Sequence, residues 1–77
     1  MKELLEKIAR SLVDEPDRVS VTEVEEDDTL VLELRVADDD MGKVIGKQGR
    51  IAKAIRIVMK AASIHEERRV VVEIVQS

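Results

Sequence analysis

The 77 residues include no Cys, no aromatic residue and one Pro, and they carry a formal net charge of −4, which points to one small domain over residues 1–77 with a thin core and modest stability. This composition excludes a disulfide framework, a thiolate metal site and any RNA-binding mode that stacks bases on Phe, Tyr or Trp. No apolar run exceeds four residues, against ~20 for a membrane span, and MKELLEKIARSL mixes Glu and Lys among its apolar residues, unlike a signal peptide, so the expectation is an unprocessed cytoplasmic protein with no membrane insertion.

Along the chain, Leu4, Leu5, Ile8 and Leu12 recur at helical spacing over residues 1–13, with Ala9 and Val13 widening the stripe and Lys2, Glu3, Glu6, Lys7 and Arg10 opposite it; this predicts an amphipathic helix. Asp14-Glu15-Pro16-Asp17 ends it, because the residue before a Pro is pushed out of the helical region. Residues 18–24 alternate briefly through Val19 and Val21, as a short edge strand does, and Glu25-Glu26-Asp27-Asp28 is a hairpin-turn candidate. Residues 29–37 alternate cleanly, with Leu30, Leu32, Leu34 and Val36 on one face, and read as the second strand. Asp38, Asp39 and Asp40 then offer N-cap side chains and first-turn negative charge to a short helix bearing Met41, Val44 and Ile45, which Gly46 and Gly49 interrupt. From Arg50 a longer helix carries Ile51, Ile55, Val58, Met59 and Ala62 as its core stripe, with Lys53, Arg56 and Lys60 opposite. Residues 69–76 alternate again and form the third strand. The order is α-β-β-α-α-β, and the fold class is α+β: a three-stranded mixed sheet with helices packed on one face.

The segment Val44-Ile45-Gly46-Lys47-Gln48-Gly49-Arg50-Ile51 is the most specific part of the chain. Charge is segregated around it: residues 1–42 hold 5 Lys/Arg against 14 Asp/Glu, residues 43–60 hold 6 against none, and residues 61–77 hold 2 against 3. Local potential governs binding, so an acidic chain with this stretch remains a candidate for a polyanion. Gly46 is expected to take the left-handed conformation that ends the short helix, and Gly49 to do the same on the far side, letting a phosphate approach the backbone. The following helix then turns its free N–H groups and positive dipole end toward the same anion as the Lys47 ammonium, with Arg50 in its first turn and Lys43 and Lys53 nearby. Gln48 is a neutral donor and acceptor for a sugar or phosphate oxygen. Val44, Ile45, Ile51 and Ile55 are the expected apolar floor of a groove for bases, where shape and van der Waals contact replace stacking. Asp38–Asp40 lie on the order of 10 Å from Lys47 along the helix, against a Debye length of about 8 Å, so their repulsion is weakened and not abolished.

Two helices joined by Gly-x-x-Gly between strands is the pattern of a KH domain, whose loop clamps the backbone of about four nucleotides. Through MKELLEKIARSLVDEPDRVSV, TLVLELRVADDDMGKVIGKQGRIAKAIR and RRVVVEIV, the whole chain resembles the small stand-alone bacterial KH-domain RNA-binding proteins of the KhpA family, which are type II KH domains. Gly46, Lys47, Gln48 and Gly49 match that family's RNA-binding loop residue by residue. The resemblance implies a cytoplasmic RNA chaperone that binds single-stranded RNA, forms a homodimer, and pairs with a larger KH-containing RNA-binding protein linked to cell elongation and division.

Ile57 and Ile64 fall outside the core stripe, seven residues apart with Ala61 between them, and are expected to form a self-association face. Other chemistry finds no support. Gly42-x-x-x-Gly46-Lys47 is one residue short of a nucleotide-binding phosphate loop and has Gln48 where Ser or Thr would hold Mg²⁺. The acidic runs lack calcium-loop spacing, and a single histidine, His65, makes neither a His cluster nor a triad. The expectation is therefore a non-catalytic protein with no cofactor and no metal. The competing reading is a protein-interaction adaptor whose loop no longer needs RNA.

Overall fold

In the computed structural model, which describes residues 1–46 and 49–76, the predicted order is realised: α1 (Lys2–Leu12), a 3₁₀ turn (Pro16–Arg18), β1 (Ser20–Glu26), β2 (Thr29–Val36), α2 (Asp38–Ile45), α3 (Arg50–Ala62) and β3 (Arg69–Gln76). The sheet order is β1-β2-β3. β1 runs antiparallel to β2 and β3 parallel to it, so the α2–α3 pair is the crossover that a parallel return demands. This mixed sheet, with its helices on one side, is the α-β-β-α-α-β arrangement of a type II KH domain.

Alternation on β2 decides which face is covered. Leu30, Leu32, Leu34 and Val36 are all buried, and opposite them on β3 stand Val70, Val72 and Ile74. Leu5 and Ala9 of α1, Val44 of α2, and Ala52, Ile55 and Met59 of α3 close over this face in one cluster. Each helix thus spends its apolar stripe on the same sheet.

Several boundaries and faces differ from expectation. β1 starts two residues later and runs through Glu26, because the turn needs only Asp27 and Asp28; Asp27 takes a left-handed φ of 52°, which a short polar side chain tolerates. On α1, Leu4 and Leu12 are the exposed margins of the stripe and Leu5 and Ala9 its buried centre. On α3 the buried line is Ala52, Ile55 and Met59, while Val58 and Ala62 face outward. The three aspartates also act differently: Ala37 is the N-cap of α2 and no side chain caps the helix. Asp40 is buried, and its two carboxylate oxygens accept the Asp14 and Glu15 backbone N–H groups, each at 3.0 Å. That carboxylate fastens the end of α1 to the start of α2.

Candidate nucleic-acid interface

α2 and α3 meet at the Gly-x-x-Gly segment, and its two glycines do different work. Gly46 is extended, at φ −76° and ψ −179°, and not left-handed as expected; it donates its N–H to Gly42 O at 2.7 Å. Its need for glycine is contact, since a Cβ there would sit 2.1 Å from Gly42 O. Gly49 is left-handed, at φ 67° and ψ 30°, and donates to Gly46 O at 2.9 Å. It is the N-cap of α3, and among the described residues no side chain caps this end; the start of a 13-residue helix, at Arg50, turns its first N–H groups and positive dipole end toward an anion.

Around this end the expected site residues separate into three groups. Arg50 and Lys53 are exposed on α3 and have no ion-pair partner among the described residues. Lys43 pairs with exposed Asp14 at 3.1 Å, a surface contact of about 0–1 kcal/mol that a phosphate can displace. Of the apolar floor, Ile45 is exposed and Ile51 half-buried, whereas Val44 and Ile55 lie 1% exposed in the core. Val44 therefore corrects the expectation that it faces a base: it anchors α2 from beneath. Lys47 and Gln48 lie outside the described residues.

The same helix carries two further surfaces. Ile57 is 62% and Ile64 77% exposed, and Val58 and Ala61 beside them are exposed as well; Ile64 belongs to the turn after α3. On the side toward β3, Arg56, Lys60, Arg68 and Arg69 line a cleft of about 430 Å³, a cluster that reading residues 43–60 and 61–77 as separate charge blocks concealed. Its signal was the short connection between α3 and β3, which forces the last turns of the helix against the first residues of the strand. Arg68 reaches Glu25 and Glu66, and these hydrogen bonds hold its guanidinium pKa above the ordinary value. Among the described residues no group of three or more His, Cys, Asp or Glu is placed to hold a metal ion, and no helix is long and apolar enough to cross a membrane.

Comparison with known proteins agrees with this geometry. The family model described as KhpA/KhpB, KH domain, matches residues 2–74. The chain belongs to the KhpA/KhpB KH-domain family. Its KhpA relatives include the protein named RNA-binding protein KhpA in Clostridium acetobutylicum, 67% identical over 97% of this chain and 100% of the relative. The Clostridium perfringens protein of the same name is 64% identical over the same shares, and that of Aquifex aeolicus 49% identical over 99% of this chain and 96% of the relative. No solved structure matches the chain.

Proposed function

We propose that the chain is a non-catalytic single-stranded RNA-binding protein, one type II KH module over residues 1–77, that clamps an RNA backbone at Gly46-Lys47-Gln48-Gly49. One observation carries the reading: α3 opens behind left-handed Gly49 with no side-chain cap among the described residues, inside a stretch, 43–60, that has six cations and no acid. Backbone donors, helix dipole and side-chain charge all favour an anion there. The name RNA-binding protein KhpA borne by its relatives supports reading that anion as an RNA phosphate. Ile45 and Ile51 supply apolar contact for a base, in keeping with a chain that has no aromatic ring. In the cell this module acts in the cytoplasm as an RNA chaperone, as a homodimer or with a larger KH-containing partner in the control of elongation and division.

The exposed Ile57 and Ile64 favour a second reading, an adaptor that works mainly through protein contacts. Fluorescence anisotropy of labelled single-stranded RNA separates the two. With about three phosphates neutralised, at a slope near −0.7 per contact, affinity falls about 18-fold from 50 to 200 mM salt. Lys47→Asp/Gln48→Asp, checked for folding by circular dichroism, loses this binding if the loop is the RNA site. Equal binding by the variant, or none by the natural protein, favours the adaptor.

A further inference from the structure

On its α2 side the cationic stretch begins with a residue that already holds an anion. Lys43 is the first of its cations, three residues before Gly46 and so about 4.5 Å from it along the helix axis. Its ammonium donates to Asp14 Oδ1 at 3.1 Å, and both side chains are open to water, 44% exposed on Lys43 and 78% on Asp14. Exposed pairs usually lose in side-chain freedom much of what they gain in attraction, but here one partner is fixed beforehand. The Asp14 backbone N–H donates to Asp40 Oδ1 and the Glu15 N–H to Asp40 Oδ2, each at 3.0 Å. Asp40 is buried on the same face of α2 as Val44, one turn on. A carboxylate buried on α2 thus docks the backbone that follows α1, and the carboxylate carried by that backbone meets Lys43.

From this arrangement we infer that Asp14 is an affinity-setting residue of the RNA site: its carboxylate competes with an RNA phosphate for Lys43. The inference rests on the RNA-binding reading of the loop and deepens it. A strand arriving at the Gly-x-x-Gly segment meets Lys43 already paired, so binding must break the pair or forgo one cation, and either costs affinity. Breaking it leaves the junction of α1 and α2 intact, because Asp14 is anchored to Asp40 through its backbone and not through its side chain. The other acids here are placed differently: Glu15, Asp38 and Asp39 share a pocket with Arg18, and Asp17, exposed on the 3₁₀ turn, has no ion-pair partner among the described residues. Loss of a merely structural contact weakens binding, whereas loss of a competitor tightens it, so the sign of the effect separates the two roles.

The test is a double-mutant cycle, read by fluorescence anisotropy of a 5′-labelled ten-nucleotide RNA of random sequence at 50 and 200 mM KCl, with circular dichroism melts to confirm that each variant is folded. Its members are the natural protein, Asp14→Asn, Lys43→Gln and Asp14→Asn/Lys43→Gln. Beside them stand Asp17→Asn, which makes the same charge change three residues away, and the loop variant Lys47→Asp/Gln48→Asp. Asp14→Asn is expected to bind about two- to fivefold more tightly than the natural protein at 50 mM KCl, the range set by an exposed ion pair, and more tightly than Asp17→Asn. Lys43→Gln is expected to bind more weakly, with a salt slope lower by about 0.7, the share of one phosphate contact. Once Lys43 is replaced, Asp14→Asn is expected to gain no more than Asp17→Asn gains in the natural protein. An equal gain from Asp14→Asn with and without Lys43, or from Asp17→Asn, reduces the effect to net charge and overturns the proposal. Unchanged or weaker binding by Asp14→Asn overturns it too, as does Lys43→Gln binding with the natural affinity and salt slope; these results leave the loop reading standing where the loop variant loses binding. Natural binding kept by the loop variant, or none by the natural protein, removes the RNA reading of the loop and this inference with it.

Discussion

Gly42 lies inside α2 and Gly46 is the extended residue that caps its end four positions later, and the two make opposite demands. A Cβ at Gly46 would lie 2.1 Å from Gly42 O, whereas one at Gly42 meets nothing within 4 Å. Gly46→Ala must push α2 away from the start of the loop, a strain of about 1–3 kcal/mol. Gly42→Ala removes only the backbone freedom of an exposed helical glycine and should stabilise by about 0.5–1 kcal/mol. Urea denaturation midpoints of the two variants should therefore move in opposite directions. Asp40 is the other decisive single residue: it is buried, and its carboxylate accepts the Asp14 and Glu15 N–H groups. Asp40→Ala leaves both donors without that acceptor and should cost about 2–3 kcal/mol, with Asp40→Asn, which keeps one carbonyl oxygen, falling between it and the natural protein. No local pattern announces this contact, since its partners are 25 and 26 residues away and a run of three aspartates reads naturally as a cap.

Among the elements, α3 combines three surfaces on one rod: Ala52, Ile55 and Met59 in the core, Arg56 and Lys60 in the cleft with β3, and Lys53, Ile57 and Ala61 exposed. These roles come apart under mutation. Met59→Ala removes a fully buried side chain and should cost about 2–5 kcal/mol in the denaturation of the monomer. Ile57→Ala should change the same measurement by no more than about 0.5 kcal/mol, because the side chain is 62% exposed. If the outward face joins two copies, Ile64→Asp gives a monomeric mass by light scattering while its far-UV dichroism stays native, and an unchanged mass removes the face from consideration. β2 was legible in the sequence because one buried face enforces strict alternation, and β3 for the same reason. The register of α3 was less so: a small Ala at position 52 competes poorly in a hydropathy pattern with Val58, yet Ala52 is the residue that is buried. The Gly-x-x-Gly site was legible in position and in the left-handed Gly49, whereas the extended Gly46 and the cleft completed by Arg68 and Arg69 depend on tertiary approach.

At the scale of the whole molecule, smallness links binding to stability. A 77-residue chain has an unfolding entropy near 0.16 kcal/mol per kelvin by the usual per-residue value, so each kcal/mol moves the melting temperature by about 6 °C. A ligand that binds only the native state adds about 2.7 kcal/mol when present at 100 times its dissociation constant. Saturation with a single-stranded RNA at 50 mM salt should therefore raise the melting temperature by about 10–20 °C, followed by circular dichroism in a wavelength range where the helices report. The same total RNA at 200 mM salt should give a much smaller rise, because saturation falls with the roughly 18-fold weaker affinity of a three-phosphate contact. Lys47→Asp/Gln48→Asp should melt at the same temperature with and without RNA. A rise that persists in that variant would place the bound strand elsewhere on the molecule. A natural protein whose melting temperature ignores RNA at both salts would count against the loop as an RNA site and favour the adaptor reading.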